Sequence, residues 1–186
     1  MKSLCVYLGA NFGNHPLFTQ AVITLANEIV KKDLTLIYGG SSMGLMGLLA
    51  TTIKENGGKV IGVTTSQLLK KEIPLETLDA LHIVETMQER KLWMQQHADA
   101  FVVMPGGLGT LEEALETWNA IKIGLLSKPL GFLNIQDYFK HLLEFIETCT
   151  TNEFISQEQA KIPQVSSDPK LLLDQLDTQH LQLTGL

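Results

Sequence analysis

Strand-length apolar runs and stretches of helical spacing alternate along most of the chain. LCVYLG around Leu4, LTLIYGG around Leu36 and KVIGVTT around Val60 are short apolar runs, as are ALHIVET around Ile83, DAFVVMPGG around Val102 and PLGFLNI around Phe132. Between the first two, over 16–32, Ala21, Leu25, Ala26 and Ile29 fall on one helical face. Further helices are expected over 43–56, 87–97, 110–123 and 136–149. Alternation at this pitch predicts a doubly wound, mostly parallel sheet with helices on both faces, a Rossmann-like α/β fold. The near-continuous apolar character of the strands fits a sheet covered on both sides. Beyond Cys149 the composition turns polar, with a short helix expected near Gln157 and another over PKLLLDQL. The last ten or so residues are expected to fray. The whole, 1–186, reads as a single nucleotide-binding α/β domain with a polar C-terminal extension from about 150.

Charge narrows the functional classes. Acidic residues number 20 against 14 basic ones, a formal charge of −6, and Arg90 is the only arginine. Such a chain lacks the basic stripe that phosphate neutralisation along nucleic acid requires. No apolar run is long enough to span a bilayer, and MKSLCVYLGANFG reads as a strand and a turn rather than a secretory leader. Cys5 and Cys149 lack CxxC spacing and read as two reduced thiols, and the five histidines form no HExxH pair. These features lead us to expect a cytoplasmic protein with no metal, no nucleic-acid partner and no membrane partner.

In open α/β sheets ligands bind beyond the carboxyl ends of the strands. Two strands end there in glycine pairs that run directly into helices, IYGGSSMG with Gly39 and Gly40, and VMPGGLGT with Gly106, Gly107 and Gly109. Glycine lets the backbone approach an anion, and the unpaired N–H groups of the following helical turn point at it. Neither run is a GxGxxG dinucleotide fingerprint or a Walker loop, which removes the main support for NAD or ATPase chemistry. Thr110-Leu111-Glu112-Glu113 has capping-box spacing, with Thr110 as N-cap and Glu113 reaching back to it. It equally places a carboxylate beside a phosphate-holding turn, where it could act on a sugar or on water. Met87, Arg90, Lys91 and Met94 share one face of the 87–97 helix. They form either a core stripe with two cationic stems emerging, or a cationic pair set in an apolar wall for a phosphorylated ligand with a flat base. Planar, bidentate contact to phosphate or carboxylate is a task that suits arginine. His97 and His141 read as ordinary helix residues, and Met43 and Met46 as packing for a helix start.

Together these residues resemble the Lonely Guy family of cytokinin-activating phosphoribohydrolases. The family pattern PGGxGTxxE matches PGGLGTLEE from Pro105 to Glu113, and its RK pair in a methionine-flanked helix matches Arg90 and Lys91. The likeness continues through LIYGGSSMGLMG, VIGV and KPLGFLN with its following aromatic, covering roughly 4–143. Members have often been labelled lysine decarboxylases. Pyridoxal phosphate chemistry needs a Schiff-base lysine and a partner for the pyridinium nitrogen, and no residue here is singled out for either.

The resemblance implies hydrolysis of the N-glycosidic bond of adenosine 5′-monophosphates, N6-modified or not, to free base and ribose 5-phosphate, without a cofactor. It implies a catalytic pair of Arg90 and Glu113. Gly107, Gly109 and Thr110 would hold the 5′-phosphate, with Gly106 shaping the turn and Gly39, Gly40, Leu108, Leu111 and Glu112 beside it. Glu72 and Lys91 match ligand-contacting positions, and Met94 would lie near the base. Asn119 stands where plant members carry a ligand-contacting threonine. VTTS at 63–66, Gln88 and GANFG after the first strand also depart from the family pattern, and these differences bear on base preference. A homodimer with the site near the subunit contact is implied as well. The competing reading is a non-catalytic nucleotide or molybdenum-cofactor carrier, which shares a similar glycine-rich framework.

Overall fold

The computed structural model describes residues 1–185. Seven strands form one sheet: β1 (Ser3–Tyr7), β2 (Thr35–Tyr38), β3 (Lys59–Thr65), β4 (Ala80–Val84), β5 (Ala100–Val103), β6 (Leu130–Leu133) and β7 (Gln164–Ser166). Their order is β4-β3-β2-β1-β5-β6-β7, and every pairing is parallel. Seven α-helices accompany them: α1 (Pro16–Lys31), α2 (Gly44–Glu55), α3 (Met87–His97), α4 (Leu108–Lys122), α5 (Lys140–Thr151), α6 (Gln157–Ala160) and α7 (Pro169–Thr184). The doubly wound, Rossmann-like expectation therefore holds, with a sheet that is wholly rather than mostly parallel. Among the described residues no helix is long and apolar enough to cross a membrane.

Side chains of a strand alternate between faces, and both faces here are apolar. Leu4 and Val6 of β1, Leu36 and Tyr38 of β2, and Ala100 and Val102 of β5 join a core under α1, α2 and α7. Cys5 and Tyr7, Ile37, and Phe101 and Val103 join the other, beneath Met94 of α3 and Ala114 and Trp118 of α4. That two-sided demand explains the unbroken apolar runs in the sequence. Burial raises the pKa of the Cys5 thiol above its ordinary value, which leaves it a core residue rather than a nucleophile.

Several boundaries moved. The helix expected over 136–149 divides into a short 3₁₀ turn at Ile135–Asp137 and α5, because Gln136 and Asp137 both take left-handed backbone conformations that an α-helix cannot contain. Strand β7 escaped notice, being three residues long with one apolar side chain. Up to Gly185 the described residues stay ordered as helix where fraying was expected, and Leu186 lies outside the described residues. The helix read over PKLLLDQL continues to Thr184, with Asp168 as N-cap and Gly185 in the left-handed C-terminal position. Leu172, Leu173 and Leu176 are completely buried, and Lys32 at the end of α1 bonds Asp174 and Asp177 of α7. A polar composition concealed a narrow leucine stripe.

In this order the chain moves outward from β1 to β4, then returns to place β5 on the other side of β1. The loops leaving β1 and β5 therefore part in opposite directions and open a crevice at their carboxyl ends. The sheet's main role in function is to create that crevice.

If α7 is integral to the core, Leu172→Ala lowers global stability by about 2–5 kcal/mol. Denaturant unfolding followed by circular dichroism would show one cooperative transition at lower midpoint. Separate melting of α7 alone would contradict this.

Candidate active site

A cavity of about 320 Å³ occupies the crevice. Leu8 to Asn11 after β1, Gly39 after β2, Leu68 and Glu72 after β3, Met87 and Arg90 of α3, and the start of α4 line it. Its size falls in the range of small-molecule sites, roughly 300–1,000 Å³.

The start of α4 is built to leave donors free. Its N-cap is Gly107, which has no side chain, and no other side chain caps the helix. The capping-box reading of Thr110 and Glu113 is therefore corrected: Thr110 is the third helical residue, and it is buried. A Cβ on Gly106 would collide with the Thr110 hydroxyl and crowd the Gly9 backbone nitrogen, so only glycine permits this close approach. The Gly9 N–H donates to the Pro105 carbonyl at 3.1 Å, tying the β1 loop to the β5 turn. Thr86, just before α3, does cap its helix, accepting from the Glu89 N–H at 3.1 Å.

That cap sets the direction of α3, and Arg90 in its first turn reaches under the crevice. The Arg90 Nε donates to the Val63 carbonyl of β3 at 2.8 Å, and the guanidinium donates to Glu113 Oε1 at 2.8 Å. Their side chains are 7% and 13% exposed. Gly39 lies directly over the guanidinium, where a Cβ would collide with it and with the Met46 methyl. Burial raises the pKa of the Glu113 carboxyl above its ordinary value, with Arg90 opposing part of that rise and Glu112 adding to it. Among the described residues only Oε1 of Glu113 is hydrogen-bonded within the protein. The site thus holds a buried carboxylate with one oxygen anchored, beside a helix terminus with free N–H groups.

Lys91 turns the other way along α4. Its buried ammonium donates to Glu112 Oε1 at 2.7 Å and to Glu116 Oε2 at 2.5 Å. Burial alone would lower its pKa, but these two bonds outweigh it and the pKa is raised. Gln95 extends the network to Glu116 and Thr117, and Thr117 meets the Tyr7 hydroxyl at 2.9 Å. The picture of cationic stems emerging from a methionine stripe is thereby corrected, since both cations are buried and paired.

Of the residues singled out by sequence, the crevice unites Gly39, Glu72, Arg90, Gly107, Gly109, Thr110, Glu112 and Glu113. Others do not line it. Gly40 lies against the β3 backbone at Gly62. Gly106 lines a second recess behind the turn. Met94 is wholly enclosed in the core, and Leu111 packs against that core. Leu108 projects into solvent, and Asn119 is exposed near the far end of α4. Lys91 reaches the crevice only through Glu112. Sequence reasoning passed over Val6, Leu8, Met46 and Leu68 as lining residues, because each reads as an ordinary apolar core position. GANFG marked the β1 loop only as a departure from a pattern.

Solved structures share this arrangement first at the level of fold. The molybdenum cofactor binding protein of Rippkaea orientalis matches with a TM-score of 0.72, covering 96% of this chain and 97% of its own at 17% identity. A molybdenum cofactor carrier protein of Chlamydomonas reinhardtii matches with a TM-score of 0.71, covering 95% and 98% at 19% identity. They define the class by its fold, a doubly wound α/β protein.

Sequence comparison defines the family. The family described as "possible lysine decarboxylase" matches residues 46–176. Cytokinin riboside 5′-monophosphate phosphoribohydrolase LOG7 of Arabidopsis thaliana is 39% identical over 95% of this chain and 81% of its own length. The probable phosphoribohydrolase LOG4 of Oryza sativa subsp. japonica is 40% identical over 86% and 74%. The chain belongs to this Lonely Guy family of phosphoribohydrolases.

Because Gly39 is pressed against the guanidinium, Gly39→Ala displaces Arg90 and costs about 1–3 kcal/mol through overpacking. A crystal structure of the variant would show the Arg90–Glu113 bond broken or lengthened. An unmoved guanidinium would refute the close contact.

Proposed function

We propose that the chain is a single nucleotide-binding domain that hydrolyses the N-glycosidic bond of adenosine 5′-monophosphates, including N6-modified ones. The carrying observation is the buried Glu113 carboxylate, anchored through one oxygen by Arg90, beside the uncapped start of α4. Family membership at 39% identity with named phosphoribohydrolases supports the same reaction.

In this reading the N–H groups from Gly107 to Thr110 take the 5′-phosphate, where the helix terminus favours an anion. That contact fixes the ribose against Glu113. As the bond from C1′ to the base nitrogen lengthens, positive charge develops on the ribose ring, and the adjacent carboxylate stabilises it. A water attacks C1′; its oxygen forms the new bond, and its proton balance is completed on the departing base. Glu113 orients that water, while Arg90 holds the carboxylate ionised and aimed. Glu112, braced by Lys91, closes the mouth of the crevice. Lys91 is thus assigned support rather than ligand contact, and Met94 a place in the core.

We further infer a homodimer acting in the cytoplasm. Leu92 on α3, Leu115 on α4, Ile123 just after it and Phe145 on α5 are exposed apolar side chains, and α5 buries none of its own residues completely. A second copy is the simplest cover for such surfaces. Sedimentation equilibrium should give twice the chain mass of 20.6 kDa; a monomer at micromolar concentration would exclude it.

Incubation with AMP and isopentenyladenosine monophosphate should release ribose 5-phosphate, with Glu113→Ala and Arg90→Ala reducing kcat by about 10²–10³. Stoichiometric nucleotide binding without turnover, surviving Glu113→Ala, would instead establish the carrier.

The ionised carboxylate is the working form, and burial holds its pKa above the ordinary carboxylate value. Activity should therefore fall as the pH drops, with an acid limb above that of an ordinary glutamate. Because Glu112 raises that pKa, Glu112→Gln should move the acid limb of kcat/KM to lower pH. A limb that stays in place would remove Glu113 as its source.

A further inference from the structure

Tyr138 stands outside every role assigned so far, yet its hydroxyl donates to the Gly106 carbonyl at 2.5 Å. Among the described residues no peptide is cis, and across a trans peptide the carbonyl and the following N–H point in opposite directions. The carbonyl is tied on the side of the turn where Phe12, Phe18, Pro105 and Tyr138 line a recess of about 190 Å³. The Gly107 N–H is thereby turned away from that tied carbonyl, and Gly107 stands at the partition between the recess and the main crevice, lining both. Both flanking residues are glycines, so no Cβ resists rotation of this peptide plane. Rotated, it would present a carbonyl oxygen to an anion in place of a donor.

The manner in which Tyr138 is held is a second, independent observation. Gln136 (φ 54, ψ 35) and Asp137 (φ 54) are successive left-handed residues with side chains, immediately before it. Asn134 closes the strained turn, its Oδ1 accepting from the Phe139 N–H at 2.8 Å and its Nδ2 donating to Asp137 Oδ1 at 3.4 Å. Phe18 and Phe139 meet the Tyr138 ring edge-on, with centroids 5.7 and 5.1 Å away. The ring is itself half exposed, so core burial does not account for this restraint. Strain of this kind is kept where a geometry is used.

We propose that Tyr138 is a positioning residue whose hydroxyl holds the Gly106–Gly107 peptide with its N–H facing the 5′-phosphate. The inference rests on the phosphoribohydrolase reading and deepens it. Tyr138→Phe retains the ring and deletes only the hydroxyl. Calorimetric titration with ribose 5-phosphate should show affinity about tenfold weaker than the wild type, the effect of one hydrogen bond to a charged group. KM for AMP should rise by a similar factor with kcat within about twofold. Adenosine, which lacks the phosphate, should bind both proteins equally, and Tm should stay unchanged.

Equal ribose 5-phosphate affinity in the two proteins overturns the proposal. So does an equal loss for adenosine, or a lowered Tm that accounts for the weaker binding, since either marks a general structural role. A wild type that binds ribose 5-phosphate but releases none from AMP fails the hydrolase reading, and a loss confined to the variant then still supports Tyr138. A wild type that binds neither ligand overturns both.

Discussion

A buried charge requires a partner, and the Arg90–Glu113 pair imposes that requirement across the strand-order switch. Arg90 comes from the helix after β4, at one edge of the sheet, and Glu113 from the helix after β5 near its centre. Neither group can be left alone in so enclosed a place, because stranding one charge of a buried pair costs about 3–5 kcal/mol. The pair therefore constrains where α3 and α4 can lie. A second bond, from Arg90 Nε to the Val63 carbonyl, carries the constraint into the sheet. Around it the chain has arranged glycines where side chains would intrude, at Gly39 over the guanidinium and at Gly106 over Thr110.

Beside this apolar-walled pair runs a second set of charges with a different character. Lys91 is as buried as Arg90, but its partners Glu112 and Glu116 are substantially exposed. Water can relax around those carboxylates, so the cost of any rearrangement is lower. One cation is thus locked to a carboxylate at the crevice floor, and its sequence neighbour steadies a more mobile rim. Adjacent residues on a helix point about 100° apart, which is how a two-residue RK pair serves two places.

Much of this was legible in the chain. The strand runs and most helices were readable from periodicity, because a sheet buried on both faces leaves an unmistakable apolar signature. Gly39, Arg90, Gly107, Gly109, Thr110 and Glu113, which the fold brings to one crevice, were legible as candidates because glycine-rich turns and the charges around them are conspicuous. Met94 and Asn119 were carried by resemblance, and the fold puts one in the core and the other on an outer helical surface. Thr110 looked like an N-cap from spacing alone, but the N-cap lies three residues earlier, at Gly107. Tyr138 showed only as the aromatic that follows KPLGFLN, without any sign of what it touches. Its role depends on which carbonyl lies opposite it, and two left-handed residues without glycine cannot be foreseen from composition.

The order of the strands also bears on how the molecule assembles. The crevice draws one wall from the first half of the chain and the other from the segment after β5, so neither half contains it alone. A bound nucleotide would act as a clasp between two separately synthesised portions, favouring only conformations in which they have joined. Ligand would consequently protect remote strands from opening along with the walls it touches, and hydrogen exchange would slow across the sheet as a whole.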